Sequence, residues 1–347
     1  MLKMEVDAVN LPLTAAGSTF TKITFRQVYD VVPIVFTLST TAGTDPAGLR
    51  IRNVTTTDFE IAILEPGAED GTHGAAMSTA YLAIEPGRLD FDNGLSIEVG
   101  THNTTRAVNG TGSGNVGNPK FGSNVTSFDT MNFAGGTFGT TPAVLAELQT
   151  MNSETGSVPT AASSPWLTAS VKTISATNVQ LALERAEVND GTILAEDIGY
   201  LAITQGAGNL SDLTNGDVNV LFDALISPDN IEGWDNNTNN GSNGNGDTTN
   251  FNQTFTSNPL VIASLAKRDG GDGGWLRRGT ITATSVNFTA DEDQWSDAER
   301  GHTTEAASVM AFSSGFDTTL NTVPEPSSMA VVTIAMLGLI RRRRIRK

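Results

Sequence analysis

Asn53-Val-Thr-Thr-Thr-Asp-Phe-Glu-Ile61 aligns without gaps with Thr173-Ile-Ser-Ala-Thr-Asn-Val-Gln-Leu181 and with Thr280-Ile-Thr-Ala-Thr-Ser-Val-Asn-Phe288. Each copy reads as the end of an incoming strand, a Thr-rich corner, and an outgoing strand whose apolar residues alternate. Those residues are Phe59/Ile61/Ile63, Val179/Leu181/Leu183 and Val286/Phe288/Ala290. A period of two turns one face of a strand to a core and the other to water, as in a half-buried antiparallel strand.

The likeness extends outward. Upstream stand Phe25-x3-Tyr29-x3-Pro33, Phe133-x4-Phe138-x3-Pro142 and Phe251-x3-Phe255-x3-Pro259, each followed by an apolar strand (Ile34–Phe36, Ala143–Leu145, Leu260–Ile262). Downstream, 21 to 23 residues past Phe59, Val179 and Val286, come Tyr81-Leu-Ala-Ile84, Tyr200-Leu-Ala-Ile203 and Val309-Met-Ala-Phe312. One more strand per copy is expected after these, at Leu95–Val99 and Val218–Phe222. The features recur every 107–120 residues, a domain-sized period, so three homologous domains follow. The expected fold is all-β: three tandem antiparallel β-sandwiches that pack separately, with limits 1–100, 101–225 and 226–320, then a tail over 321–347 containing a short hydrophobic helix. The joins at Thr101–Gly122 and Asp235–Asn250 are dense in Asn, Gly and Thr and read as solvated linkers.

Composition agrees. Gly, Thr, Asn and Ser abound, which suits short strands and tight turns. Cys is absent, so disulfides, zinc-thiolate sites and thiol nucleophiles are excluded. The net charge of −17 understates the acidity of the body, because six of the 21 Lys and Arg lie in the last seven residues. The remainder carries 15 basic against 38 acidic residues and repels nucleic acid, whose binding rests on neutralised phosphates.

Val323-Pro324-Glu325-Pro326-Ser-Ser leads into the apolar run Met329–Ile340, followed at once by Arg341, Arg342, Arg343 and Arg344. A run of 12 residues falls short of the ~20 needed to span a bilayer permanently. The arginines hold the far end on the cytoplasmic side. This arrangement resembles the PEP-CTERM sorting signal of exopolysaccharide-producing Gram-negative bacteria. The resemblance implies transient inner-membrane insertion through Met329–Ile340, cleavage near Pro324-Glu325-Pro326 by an exosortase-type transpeptidase, and display in the envelope, at the surface or outside the cell. An exported protein is expected to begin with a cleavable leader, and Met1–Asp7 carries no apolar run, so the expectation is that a leader is missing from this start.

The repeat, best in its first copy (Arg50-Ile-Arg-Asn-Val-Thr-Thr-Thr-Asp-Phe59, then Tyr81-Leu-Ala-Ile-Glu85), resembles the H-type lectin domain over roughly 23–87, 131–206 and 249–315. That family implies a six-stranded antiparallel sandwich, often assembled as a trimer, which binds glycans; here the implied ligand is extracellular polysaccharide. The matching residues carry strands and corners rather than the loops where sugars bind.

His73 and His302 fall within one residue of the same place in their copies, near Glu65, Glu69 and Asp70 in one and Glu292, Asp293, Asp297, Glu299 and Glu305 in the other. The simplest reading is a surface hairpin whose acids solvate the turn. A loop pairing His with carboxylates also suits a sugar or a divalent metal. The candidate ligand contacts are therefore Trp295, His302 and Glu305 in the third copy and His73 in the first. Trp166 and Trp275, each just ahead of a strand, read as core or interface residues, with sugar stacking as the alternative. The loop Arg268–Trp275 lacks the Lys-Ser/Thr of a phosphate loop, and Asp269 with Asp272 offers at most a calcium seat. No other cofactor or metal is implied. No Ser-His-Asp set or acid pair recurs across the copies, so the expected function is non-catalytic. The rival expectation is a structural or adhesive surface protein without specific sugar binding.

Overall fold

The computed structural model describes residues 1–14, 20–66, 72–108, 128–154, 165–186, 192–214, 216–236, 246–270, 273–294 and 299–322. The sorting tail with its expected helix, and Trp295, lie outside the described residues. Among those described, the chain is all-β, with 23 strands and one 3-10 turn at Leu210–Asp212.

The same strand order recurs three times. In the first unit β1 (Leu2–Leu11), β7 (Met77–Ile84) and β3 (Ile34–Thr37) form one sheet in the order β1-β7-β3, and β2 (Thr21–Thr24), β6 (Asp58–Leu64) and β5 (Gly48–Arg52) form another in the order β2-β6-β5. A two-residue strand, β4 (Ser39–Thr40), follows β3. In the second unit β9 (Ser96–Thr104), β15 (Glu196–Ile203) and β12 (Ala143–Leu148) face β11 (Asp129–Asn132), β14 (Asn178–Arg185) and β13 (Leu167–Ile174), with β10 (Ala107–Val108) beside β14. In the third, β17 (Leu221–Ile226), β22 (Ala306–Phe312) and β19 (Leu260–Lys267) face β18 (Asp247–Asn250), β21 (Ser285–Glu292) and β20 (Gly274–Ile281). Phe59, Val179 and Val286 are all fully buried and pair with Ile23, Met131 and Thr249 at matching places.

The repeated sequence features acquire physical reasons. The aromatic pairs ahead of each Pro, Phe25/Tyr29, Phe133/Phe138 and Phe251/Phe255, meet edge to face with centroids 5.0, 4.9 and 5.3 Å apart. At each corner a hydroxyl accepts two backbone N–H groups: Thr55 from Thr57 and Asp58, Ser175 from Thr177 and Asn178, Thr282 from Thr284 and Ser285. The Thr-rich corner is a hydroxyl-capped turn.

The expected separate packing does not hold. Tyr81 and Ala83 of β7 point into the first unit's own core with Phe59 and Ile61, while Leu82 and Ile84 point the other way. There they join Leu145, Leu201 and Ile203 of the second unit and Phe222, Met310 and Phe312 of the third in one shared cluster. The inner sheets are thus buried on both faces, which is why Tyr-Leu-Ala-Ile reads as a continuous apolar run.

The additional strand after each Tyr-Leu-Ala-Ile segment also lies elsewhere than expected. β9 pairs with β15 of the second unit, and β17 with β22 of the third, so limits at 100/101 and 225/226 fall inside these strands. Short connecting strands link the units cyclically: β8 (Gly87–Asp90) pairs with β9, β16 (Gly206–Asn209) with β17, and β23 (Phe316–Leu320) with β1. The last pairing closes the ring.

Candidate functional site

Each unit carries one buried acid on its first strand, a feature the sequence reading missed. Glu5, Glu98 and Asp223 stand opposite Ala83, Ala202 and Ala311 and are almost fully enclosed. Glu5 accepts from the N–H groups of Arg26 and Gln27 and from the Tyr81 hydroxyl, Glu98 from Ala134, Gly135 and the Tyr200 hydroxyl, and Asp223 from Asn252. Burial raises the pKa of Glu5 and Asp223, and these hydrogen bonds pull it back. The role is to fasten the loop after each aromatic residue, and the only signal in the sequence was an acid at the same offset in three first strands.

His73 and His302 are not on a surface hairpin. Both are buried, at 1% and 5% exposure. His73 Nδ1 meets Glu65 Oε1 at 2.8 Å and its Nε2 meets the Ala42 carbonyl at 2.8 Å. His302 Nδ1 bonds Glu292, and its Nε2 lies 3.0 Å from Glu305 Oε1. Glu65 and Glu292 hold equivalent places at the ends of β6 and β21; the second unit has Arg185 there. Each imidazole also seats on a glycine. A Cβ on Gly43 would come within 2.6 Å of the His73 ring, and one on Gly270 within 2.2 Å of His302. Burial lowers the pKa of His302, but its two carboxylate partners outweigh this and push it up to about 10, so it is an imidazolium at neutral pH. Glu305 also accepts from the N–H groups of Asp269 and Gly270. These clusters pin loops from beneath, and the ring nitrogens have no free face toward solvent. Asp269 pairs with Lys267 at 2.6 Å, and Asp272 lies outside the described residues. No group of three or more potential metal ligands occurs among the described residues.

Trp166 and Trp275 are interface residues. Trp166 and Trp275, 2% and 6% exposed, meet with centroids 5.8 Å apart. Arg50 of the first unit lies 3.8 Å over Trp166 and pairs with Glu154 of the second at 2.9 Å, while Trp275 Nε1 donates to the Ala47 carbonyl. Fully buried Arg277 of the third unit holds Asp291 at 2.6 Å and donates to the carbonyls of Thr40, Ala42 and Asp45 of the first.

The edge strands β3, β12 and β19 meet at the centre, where side chains of one unit satisfy edge peptide groups of another. Gln149 bonds both N–H and C=O of Val35, and Ser264 and Ser308 accept from Ala146 and Val144. Beside them lies a cavity of about 70 Å3 lined by all three units, including Leu38, Glu147 and Ser264 at equivalent positions. Glu147 is half-buried and lines this cavity. Its carboxyl has only long hydrogen bonds from Thr37, 3.3 and 3.4 Å, and burial pushes its pKa up to about 8.

The PEP-CTERM protein-sorting motif model matches residues 322–344. No curated protein and no solved structure matches the chain, and no family model supports the H-type lectin resemblance. The motif marks an exosortase-sorted protein of the cell surface or exterior. No helix among the described residues is long and apolar enough to cross a membrane.

Proposed function

We propose that this chain is a non-catalytic surface or matrix protein whose three H-type-lectin-like sandwiches form a single-chain ring that binds glycan, exopolysaccharide above all. The observation that carries the reading is the shared core with cyclic strand exchange: three units of one strand order bury a common apolar centre, the arrangement a lectin trimer would adopt if its protomers were joined end to end. Sorting fits the same picture, because the motif begins two residues after the ring-closing β23. The absence of catalysis is supported by the two buried histidines, whose ring nitrogens are engaged by carboxylates and a carbonyl. Exosortase is the processing partner, acting through transient insertion of Met329–Ile340.

One observation favours the rival, a structural or adhesive ring without specific sugar binding. Burial removes His73, His302, Trp166 and Trp275 from the surface, leaving Trp295, outside the described residues, as the remaining aromatic candidate from the sequence. A glycan array probed with the secreted protein separates the two. Reproducible binding to a defined glycan class supports the lectin reading, and a blank array with folded protein supports the rival.

A further inference from the structure

Beside the ring-closing end of the molecule lies a second concavity, of about 250 Å3, between the β8–β9 turn and the β16 connector. It is lined by Asn93, Gln205, Asn209 and Asp212, together with buried Phe222. Two of the polar groups are held rigidly: Gln205 bridges the Thr141 carbonyl and the Ile226 N–H, and Asn209 bonds Asn219 and the Ser211 N–H. Two keep bonding capacity. Asn93 uses its oxygen on the Leu95 N–H and leaves its amide NH2 without a protein partner, and exposed Asp212 engages one carboxylate oxygen, with Ser211 at 3.4 Å.

The third wall is backbone. β16 is the edge of its sheet and reads Gly206-Ala207-Gly208-Asn209. At the corresponding edges β8 carries Arg88, paired with Asp90 and Glu98, and β23 carries Asp317, paired with Arg26. Those two edges are guarded by charge, as exposed edges generally are. β16 has Ala207 at that place. Gly206 adopts φ +150°, as Gly87 does at the start of β8 (+146°), and what β16 adds is Gly208, where a Cβ would stand 3.0 Å from the Phe222 ring. Glycines in a strand often mark close approach by a ligand or another backbone. Here they leave edge peptide groups uncovered beside an amide and a carboxylate.

We infer that this concavity is a subsite for one neutral sugar residue of a polysaccharide. The inference rests on the glycan-binding reading above and gives it a place. A sugar ring presents hydroxyls that both donate and accept, which Asp212, Asn93 and an open strand edge complement, and the volume lies below the ~300–1,000 Å3 of pockets for larger ligands. The carboxylate of Asp212, on a body with 38 acidic residues in its chain, disfavours uronic acids and sulfated sugars.

The test uses the secreted protein on an array of neutral oligosaccharides of glucose, galactose, mannose and N-acetylglucosamine, with polygalacturonate as the acidic comparison. Ala207→Arg installs the side chain found on the β8 edge, and Asp212→Ala removes the free carboxylate; both positions are exposed, and thermal melts check the fold. The expected result is binding to a neutral class only, weakened at least tenfold by Ala207→Arg and several-fold by Asp212→Ala. Equal binding by wild type and both variants overturns the subsite while leaving the lectin reading standing. Preference for polygalacturonate overturns the neutral assignment. An array blank for wild type removes both the reading and the subsite.

Discussion

Leu320 stands directly opposite Leu2 in the antiparallel ladder between the last and first described strands, and both side chains are buried in the core shared by all three units. Closure of the ring is therefore a packing event as well as a hydrogen-bonded one. Leu320→Ala is expected to cost about 2–5 kcal/mol, because the cavity it leaves is walled by other strands that cannot collapse freely. Urea titration measures the loss. Removing Phe316–Leu320 also bares the edge of β1 and is expected to produce association between copies in light scattering. A variant lacking β23 that stays monomeric and equally stable would show that the closure is dispensable.

Glu147 should make the ring less stable in alkali. Its folded pKa of about 8 lies above the ordinary 4.5, so between these values the folded state holds a proton that the unfolded chain releases. Stability then falls as pH rises through that window, by roughly 1.4 kcal/mol per pH unit at the steepest, and levels off above about pH 8. Glu147→Gln removes the titration. Its denaturation midpoint should be flatter with pH and exceed that of wild type at pH 9. Parallel pH profiles for the two proteins would rule the carboxyl out as the cause.

His302 predicts a second pH dependence through a different group. Its pKa rises from 6.5 unfolded to about 10 folded, because Glu292 and Glu305 hold the imidazolium despite burial. The stabilisation is complete below pH 6.5 and is lost as pH climbs through about 10. His302→Ala should cost about 3–5 kcal/mol at neutral pH by leaving two enclosed carboxylates without their cation. A nuclear magnetic resonance titration of the imidazole checks the pKa directly, and a midpoint near 6.5 would contradict the pairing.

The strands and corners were legible because their signals are local. Phe59/Ile61/Ile63 alternates within seven residues, and the hydroxyls of Thr55, Ser175 and Thr282 cap turns made of their immediate neighbours. The shared core was less legible, although the unbroken run Tyr81–Ile84 carried its signature: an apolar residue on both faces of a strand requires a core on both sides. Pairing partners could not be read at all. Ser96–Thr104 looks the same whether it lies beside β7 or β15, and only the distant ladder decides. The histidines misled for a related reason. A His among acids resembles a wet loop until Gly43 and Gly270 are seen to make room for the rings inside.

Sorting and folding meet at the end of β23, which gives the final prediction. Leu320 is buried, and Pro324 follows only four residues later, within about 14 Å of extended chain. Cleavage near Pro324-Glu325-Pro326 would therefore leave the ring-closing strand whole, and the protein that reaches the surface should melt at the same temperature as the uncut precursor. Replacing the three residues by alanine should block processing without touching the core. The apolar run Met329–Ile340 then keeps the protein in the inner-membrane fraction, still bearing Arg341–Arg344. Intact-mass measurement on the membrane and surface fractions reads both outcomes. Surface protein of wild-type sequence that retains the four arginines would refute cleavage at this position.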